Sequence, residues 1–172
     1  LVKLYAPGCL REPDEVLDRL IALPETMTPR GRRLVDHSVS WPVTRIVDGS
    51  STVGVALAKA PAEFYAPFRL LSEETERRPL EIDHLMPLRS GDYEQWEMAP
   101  PTWDERRRVA RHLLQVADLF ERYGVVYGDW SYSNAFWARR SGRIFVIDVD
   151  GCGFGTRGWV ETHGWAMPGL RP

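Results

Sequence analysis

Cysteine is almost missing from this chain: Cys9 and Cys152 are the only two in 172 residues, and they form no CxxC spacing. That argues against a disulfide framework or a zinc knuckle and makes a reducing cytoplasm the expected setting. No charge of one sign dominates, with Lys+Arg at 22, Asp+Glu at 24 and a net charge of -2. Direct nucleic-acid binding by this segment is therefore not expected. No apolar run approaches the roughly 18 residues that would span a bilayer, so no membrane partner is expected either. Internal repeats and low-complexity tracts are missing too. The four histidines, His37, His84, His112 and His163, lie far apart without metal-ligand spacing, and surface or core roles are their default reading.

What is present is a chain 44% hydrophobic and 27% charged, a balance that suits one globular domain with a real core. Leu1 to Tyr5 alternates like a strand, and Pro7-Gly8 supplies a turn. A helix opens at Glu12-Pro13, carries Val16, Leu17, Leu20, Ile21 and Leu23 on one face, and is expected to end at Pro24. Residues 26–37 are polar and read as a solvated connector. Trp41-Pro42 leads into a β-branched run to Val47, and Thr52 to Ala58 follows an Asp48-Gly49 turn, a hairpin signal. Pro61 and Pro67 mark an extended connection, and residues 69–100 hold one or two short helices.

The clearest helix begins at Thr102, with Glu105 three residues later in a capping-box pattern, repeats Val109, Leu113, Val116, Ala117 and Phe120, and stops at Gly124. Val125-Val126-Tyr127, the loop Gly128 to Asn134, a strand Ala135 to Ala138, a turn at Ser141-Gly142 and an apolar strand Ile144 to Ile147 then follow in order.

The chemistry concentrates there. Asp129 and Asn134 leave the long helix through one short strand, and a hairpin returns Asp148 beside them. Three oxygen-bearing side chains at the ends of adjacent strands suit Mg²⁺, which takes one or two hard ligands from protein and the rest from phosphates and water. Phosphoryl transfer needs such a clamp and a carboxylate that orients the attacking hydroxyl. An Asp-x4-Asn by itself is equally a pair of turn residues capping the backbone. The helix before it and the hairpin and Ile147-Asp148 after it set this one apart.

An Asp, four residues, an Asn, and a second Asp after a β hairpin resemble the catalytic core of the protein-kinase superfamily. Gly128-Asp129 resembles the form found in atypical and small-molecule kinases. Trp41-Pro42 before a strand pair, the Gly128-Asp129 to Ser133-Asn134 loop and Asp148-Val149-Asp150 together resemble bacterial atypical protein kinases of the helix-hairpin-helix-associated group. The resemblance implies an α+β, bilobal protein-kinase-like fold, incomplete at both ends. Residues 1–58 would be the N-lobe from its third strand onward, 59–61 the hinge, and 62–172 the C-lobe through the activation segment, with 62–168 mostly helical around a hairpin. It implies ATP and Mg²⁺ as cofactors and a protein substrate as partner. Asp129 would be catalytic, Asn134 and Asp148 metal ligands, and Lys3 the residue that binds the α- and β-phosphates. Glu12 or Glu15 would pair with Lys3, and the backbone at Ala58 and Ala60 would hold adenine.

Asp150 is either a second ligand or a cap on the following turn; Trp130 and Tyr132 either pack beneath the loop or face substrate. The pattern departs from the family in several places. No Gly-rich phosphate loop is present, Tyr127-Gly128 stands where His-Arg is usual, Ser131 replaces a Lys, and Val149-Asp150 replaces Phe-Gly. The chain opens on Leu1 without an initiator methionine and stops at Pro172, and both ends are expected to be cut from something longer, with flanking kinase segments as missing partners and little or no kinase activity expected of the 172 residues alone. A small-molecule kinase of the aminoglycoside or choline type, or a pseudokinase binding module, are the alternative expectations.

Overall fold

A computed structural model of the chain describes residues 1–6, 14–86, 92–96 and 98–155. Glu12, the Pro7-Gly8 turn and residues 156–172 lie outside them. The fold is mixed α+β. Among the described residues no helix is long and apolar enough to cross a membrane.

The alternating segment at the start becomes β1 (Val2–Leu4), which pairs antiparallel with β3 (Ser51–Leu57); β3 pairs in turn with β2 (Pro42–Asp48), giving the order β1-β3-β2. The Asp-Gly hairpin forms as expected, with Gly49 at φ 59°, a conformation glycine adopts without steric cost. One face of β3 is covered by α1 (Asp14–Thr26), whose Leu17 packs with Val55 and Leu57. Gly54 permits the close approach of β1, because a Cβ there would lie 2.4 Å from the Lys3 carbonyl oxygen.

Pro24 does not end α1, contrary to the sequence expectation; the helix runs through it to Thr26. A proline removes the N–H that would bond the carbonyl four residues earlier, here that of Leu20. The indole Nε1–H of Trp41 donates to that Leu20 oxygen at 2.8 Å in the buried core. Tertiary structure thus supplies the donor that the local sequence lacks.

Residues 26–37 are not a connector. Pro29–Ser38 form α2, with Pro29 in the first turn and Thr28 as N-cap, its side chain accepting from the Gly31 N–H at 3.1 Å. Its buried residues are Gly31, Val35 and Ser38. They follow helical spacing, but two of the three are small or polar, so no apolar stripe announces the helix.

The long helix, α4 (Trp103–Arg122), forms with the full capping box at Thr102 and Glu105, and Gly124 beyond it has φ 65°. It buries Val109, Val116, Leu119 and Phe120 in the main core beside Trp41, Val35 and Trp137. After it come β6 (Val125–Val126) and the hairpin β7 (Ala135–Trp137) and β8 (Ile144–Val146). β6 pairs with β9 (Gly153–Phe154). Every residue of β7 and β8 is buried. Residues 62 onward are less helical than expected. The extended connection is instead a hairpin of β4 (Tyr65–Arg69) and β5 (Thr75–Pro79), which accommodates Pro67 opposite Arg77. Between it and α4 lie a one-turn 3-10 helix (Ile82–Leu85) and the short α3 (Asp92–Gln95).

Candidate functional site at the open end of the β7–β8 hairpin

Register places the key residues. Ala135 faces Val146 across the ladder, so Asn134 enters β7 where Ile147 leaves β8, and the Ile147 N–H donates to the Asn134 carbonyl at 2.9 Å. Asp148 follows at once. A hairpin buried on both faces therefore delivers Asn134 and Asp148 to one spot.

The loop before β7 is tied to the same place. The Asn134 amide donates to Asp129 Oδ2 at 2.7 Å and to the Asp129 carbonyl at 3.2 Å. The Ser131 N–H donates to the Asp129 carbonyl at 2.8 Å, and the Asn134 N–H to the Ser131 carbonyl at 3.1 Å. With its Nδ2 engaged by Asp129, Asn134 keeps Oδ1 as a hard oxygen donor.

Asp148 has φ 58° and ψ 34°, a left-handed conformation uncommon for a residue with a Cβ and found at functional turns. Two contacts hold it there. The Tyr127 hydroxyl donates to the Ile147 carbonyl at 2.8 Å, and Val149 just beyond is fully buried. Burial raises the Tyr127 phenol well above its usual pKa, and the nearby carboxylates of Asp129 and Asp148 add to this. The hydroxyl therefore remains a donor throughout the physiological range.

Lys3 reaches this spot from β1. Its Nζ lies 3.2 Å from Asp148 Oδ1 and 3.1 Å from Asp150 Oδ1. Strand alternation puts Tyr5 on the same face as Lys3, and its hydroxyl donates to Asp150 Oδ2 at 3.2 Å. Asp150 is buried, with only 5% of its surface exposed. Burial by itself would lower the Lys3 pKa, but Asp150 and Asp148 outweigh it and raise it, so the ammonium is charged. Asp150 thus pairs with Lys3, a role distinct from both the second metal ligand and the turn cap that the sequence suggested.

Glu15 requires a correction: the ion pairs of Lys3 go to Asp148 and Asp150, not to Glu15. Glu15 is exposed in the first turn of α1. That turn faces β2 instead, where Arg45 binds Asp14 at 3.0 Å and Asp18 at 2.6 Å.

The expected hinge is corrected in part as well. The Ala58 N–H donates to the Trp41 carbonyl at 3.1 Å and its carbonyl accepts from Ser40 Oγ at 2.6 Å, so both groups are committed within the fold. Ala60 is buried in a small apolar cluster with Phe64, Phe136, Ala138 and Phe145, which adjoins the hairpin.

Trp130 packs edge-on against Tyr127, with ring centroids 4.7 Å apart, and against Phe120; Tyr132 is exposed. The first supports the loop, and the second faces outward. Beside the loop, Glu81 bridges to Phe136 on β7, and burial, with Asp83 adding to it, raises its carboxyl pKa. Sequence reasoning missed Glu81, Tyr5 and Tyr127 as members of this neighbourhood. A signal existed for Tyr5 alone, in the alternation it shares with Lys3.

Among the described residues no group of three or more His, Cys, Asp or Glu side chains is arranged to hold a metal. Asn134 Oδ1 and the Asp148 carboxylate are two hard oxygens, which fits a cation that takes few protein ligands, such as Mg²⁺, and does not fit zinc. Searches of family models, curated proteins and solved structures found no match to this chain.

Proposed function

We propose that this chain is the core of an ATP- and Mg²⁺-dependent phosphotransferase with a bilobal protein-kinase-like arrangement, acting on a hydroxyl of a protein substrate of the Ser/Thr type. One observation carries the reading. A charged lysine from an edge strand meets Asp148, whose β8 strand is paired with the β7 strand that follows Asn134, and Asn134 holds Asp129.

The residues divide the work. Lys3 exchanges its carboxylate partners for phosphate oxygens and neutralises them. Asn134 and Asp148 would hold Mg²⁺, which when bound neutralises charge on the transferring phosphate. Asp129, steadied by the Asn134 amide, orients the acceptor hydroxyl and takes its proton as the oxygen bonds to the γ-phosphorus and the bond to ADP breaks. Asp150 and Tyr5 keep Lys3 in reach of the site.

Radiolabelled ATP with a generic basic protein acceptor tests this on the full chain. Transfer that falls by about 10²- to 10⁴-fold in Asp129→Asn is expected if the carboxylate handles the proton. Thermal shift with Mg²⁺ and a non-hydrolysable ATP analogue is the companion measurement. Stabilisation that is the same in wild type and Asp148→Asn would remove the metal site from the proposal.

A further inference from the structure

On a different part of the surface, α2 and α4 enclose a cleft of about 670 Å³. Its size lies within the range of small-molecule sites. None of Lys3, Asp129, Asn134 or Asp148 lines it.

Its charge is opposite to that of the whole molecule. Arg30 and Arg33 from α2, Arg122 from α4 and Arg143 before β8 line it, against the single carboxylate of Asp118. The chain as a whole carries a net charge of -2. Arg122 pairs with Asp118 at 2.8 Å and Arg143 with Glu63. Arg30 and Arg33 make no ion pair among the described residues. With Arg122 and Arg143 paired, Arg30 and Arg33 leave the concavity a positive charge, and its shape focuses their field on whatever enters.

Two neutral donors are placed with them. Ser38 lines the cleft, is fully buried, and its Oγ has no hydrogen-bond partner among the described residues. A buried hydroxyl without a partner is uncommon and calls for a ligand or a bound water. His112 Nδ1 accepts the Ile144 N–H at 3.1 Å, so the ring proton resides on Nε2. Burial and the nearby Arg143 lower the His112 pKa, which keeps the ring neutral and Nε2 a donor near pH 7.

We propose that the α2–α4 cleft binds a small phosphorylated anion, with Arg30 and Arg33 as charge-assisted donors and Ser38 and His112 as neutral ones. Guanidinium forks match the oxygens of a phosphoryl group, and several of them around a pocket favour a multiply charged anion over a single carboxylate. A concavity of this size suits a small molecule, since an extended polyanion would need a basic stripe.

Calorimetric titration of the full chain with tripolyphosphate, without Mg²⁺ and at constant ionic strength, tests this. Wild type and Lys3→Met are expected to bind with a dissociation constant near or below about 1 mM. Arg33→Ala and the double variant Arg30→Ala, Arg33→Ala are each expected to weaken binding by about tenfold or more. Both arginines are exposed, so circular dichroism should report an unchanged fold. Citrate is expected to bind more weakly than tripolyphosphate.

Four results overturn the proposal. They are absent binding in wild type, binding indifferent to Arg30 and Arg33, binding lost in Lys3→Met, and citrate binding as tightly as tripolyphosphate. The third would assign the anion to the Asp148 site, and the fourth would reduce the cleft to general electrostatic attraction.

Discussion

The two sides of the candidate site are built differently. Asn134 and Asp148 project from β7 and β8, where every residue is buried and Trp137 and Ile144 have no exposed surface. Lys3 projects from β1, an edge strand whose neighbours Val2 and Leu4 are exposed, in a sheet whose β2 also exposes Val43 and Val47. A carboxylate that must hold a metal or orient a hydroxyl needs a fixed frame, and close packing on both faces provides one. Under the proposed function, a lysine that follows a phosphate needs reach and a charge partner more than rigidity. Its position then depends on a narrow contact at Gly54 and on Asp148 and Asp150.

The largest test of this contrast removes the packing under the rigid side. Trp137→Ala should destabilise the protein by about 3–5 kcal/mol, the range for deleting a large buried aromatic. Val47→Ala, on the exposed side, should change stability by no more than about 0.5 kcal/mol. Urea denaturation of both variants checks the pair. Trp137 Nε1 is buried without a partner among the described residues, so Trp137→Phe should cost much less than Trp137→Ala.

A second test addresses how the sheet side is joined to the core. Trp41→Phe leaves the Leu20 carbonyl opposite Pro24 without its donor, which should cost about 1–3 kcal/mol. Pro24→Ala restores a backbone N–H at that place. The double variant should therefore be more stable than the two single changes predict, and a double-mutant cycle by thermal unfolding reads the difference. Additive effects would break the link between Trp41 and Pro24.

A third test shifts Lys3 without changing it. Gly54→Ala brings a Cβ against the Lys3 carbonyl, and backbone must move to relieve it. A loss of about 1–3 kcal/mol is expected, as for other overpacked sites. Affinity for a non-hydrolysable ATP analogue should fall with it, while the β7–β8 hairpin keeps its hydrogen-exchange protection.

The smallest expected effect is on pH dependence. The His112 pKa is lowered in the folded state by burial and by Arg143. The unfolded imidazole, with the ordinary value of about 6.5, then binds a proton that the folded one refuses. The contribution of His112 to stability is complete above that value and declines as pH falls through it toward the folded-state pKa. His112→Asn keeps an acceptor for the Ile144 N–H and removes the titration. Its melting temperature should vary less between pH 7 and pH 5 than that of wild type.

Elements with strong local signals were legible beforehand. The capping box at Thr102, the Asp48-Gly49 hairpin and the hairpin between Ala135 and Ile147 all form where the residues indicated. Each is governed by contacts between near neighbours in sequence. The helix α2 was not legible, because Gly31 and Ser38 bury a face that carries no hydrophobic pattern. The hairpin of β4 and β5 was hidden by Pro67 and by the charges of Glu76, Arg77 and Arg78, which strand pairing tolerates in a largely exposed ladder.

The sequence by itself determined the residue types and spacing that bring Asp129, Asn134 and Asp148 to one end of a hairpin, because the tight turn at Ser141-Gly142, with Gly142 at φ 69°, fixes the register of the ladder. Tertiary structure alone decided which acids meet Lys3. The choice between Glu15 and the aspartates after β8 depends on the face α1 turns toward β2, and Arg45 with Asp14 and Asp18 sets that face. It also decided that α1 passes through Pro24, since the donor that Leu20 needs comes from Trp41, 21 residues away along the chain. Local propensity acts over a few residues, whereas these outcomes depend on charges and donors that meet only when the chain is folded.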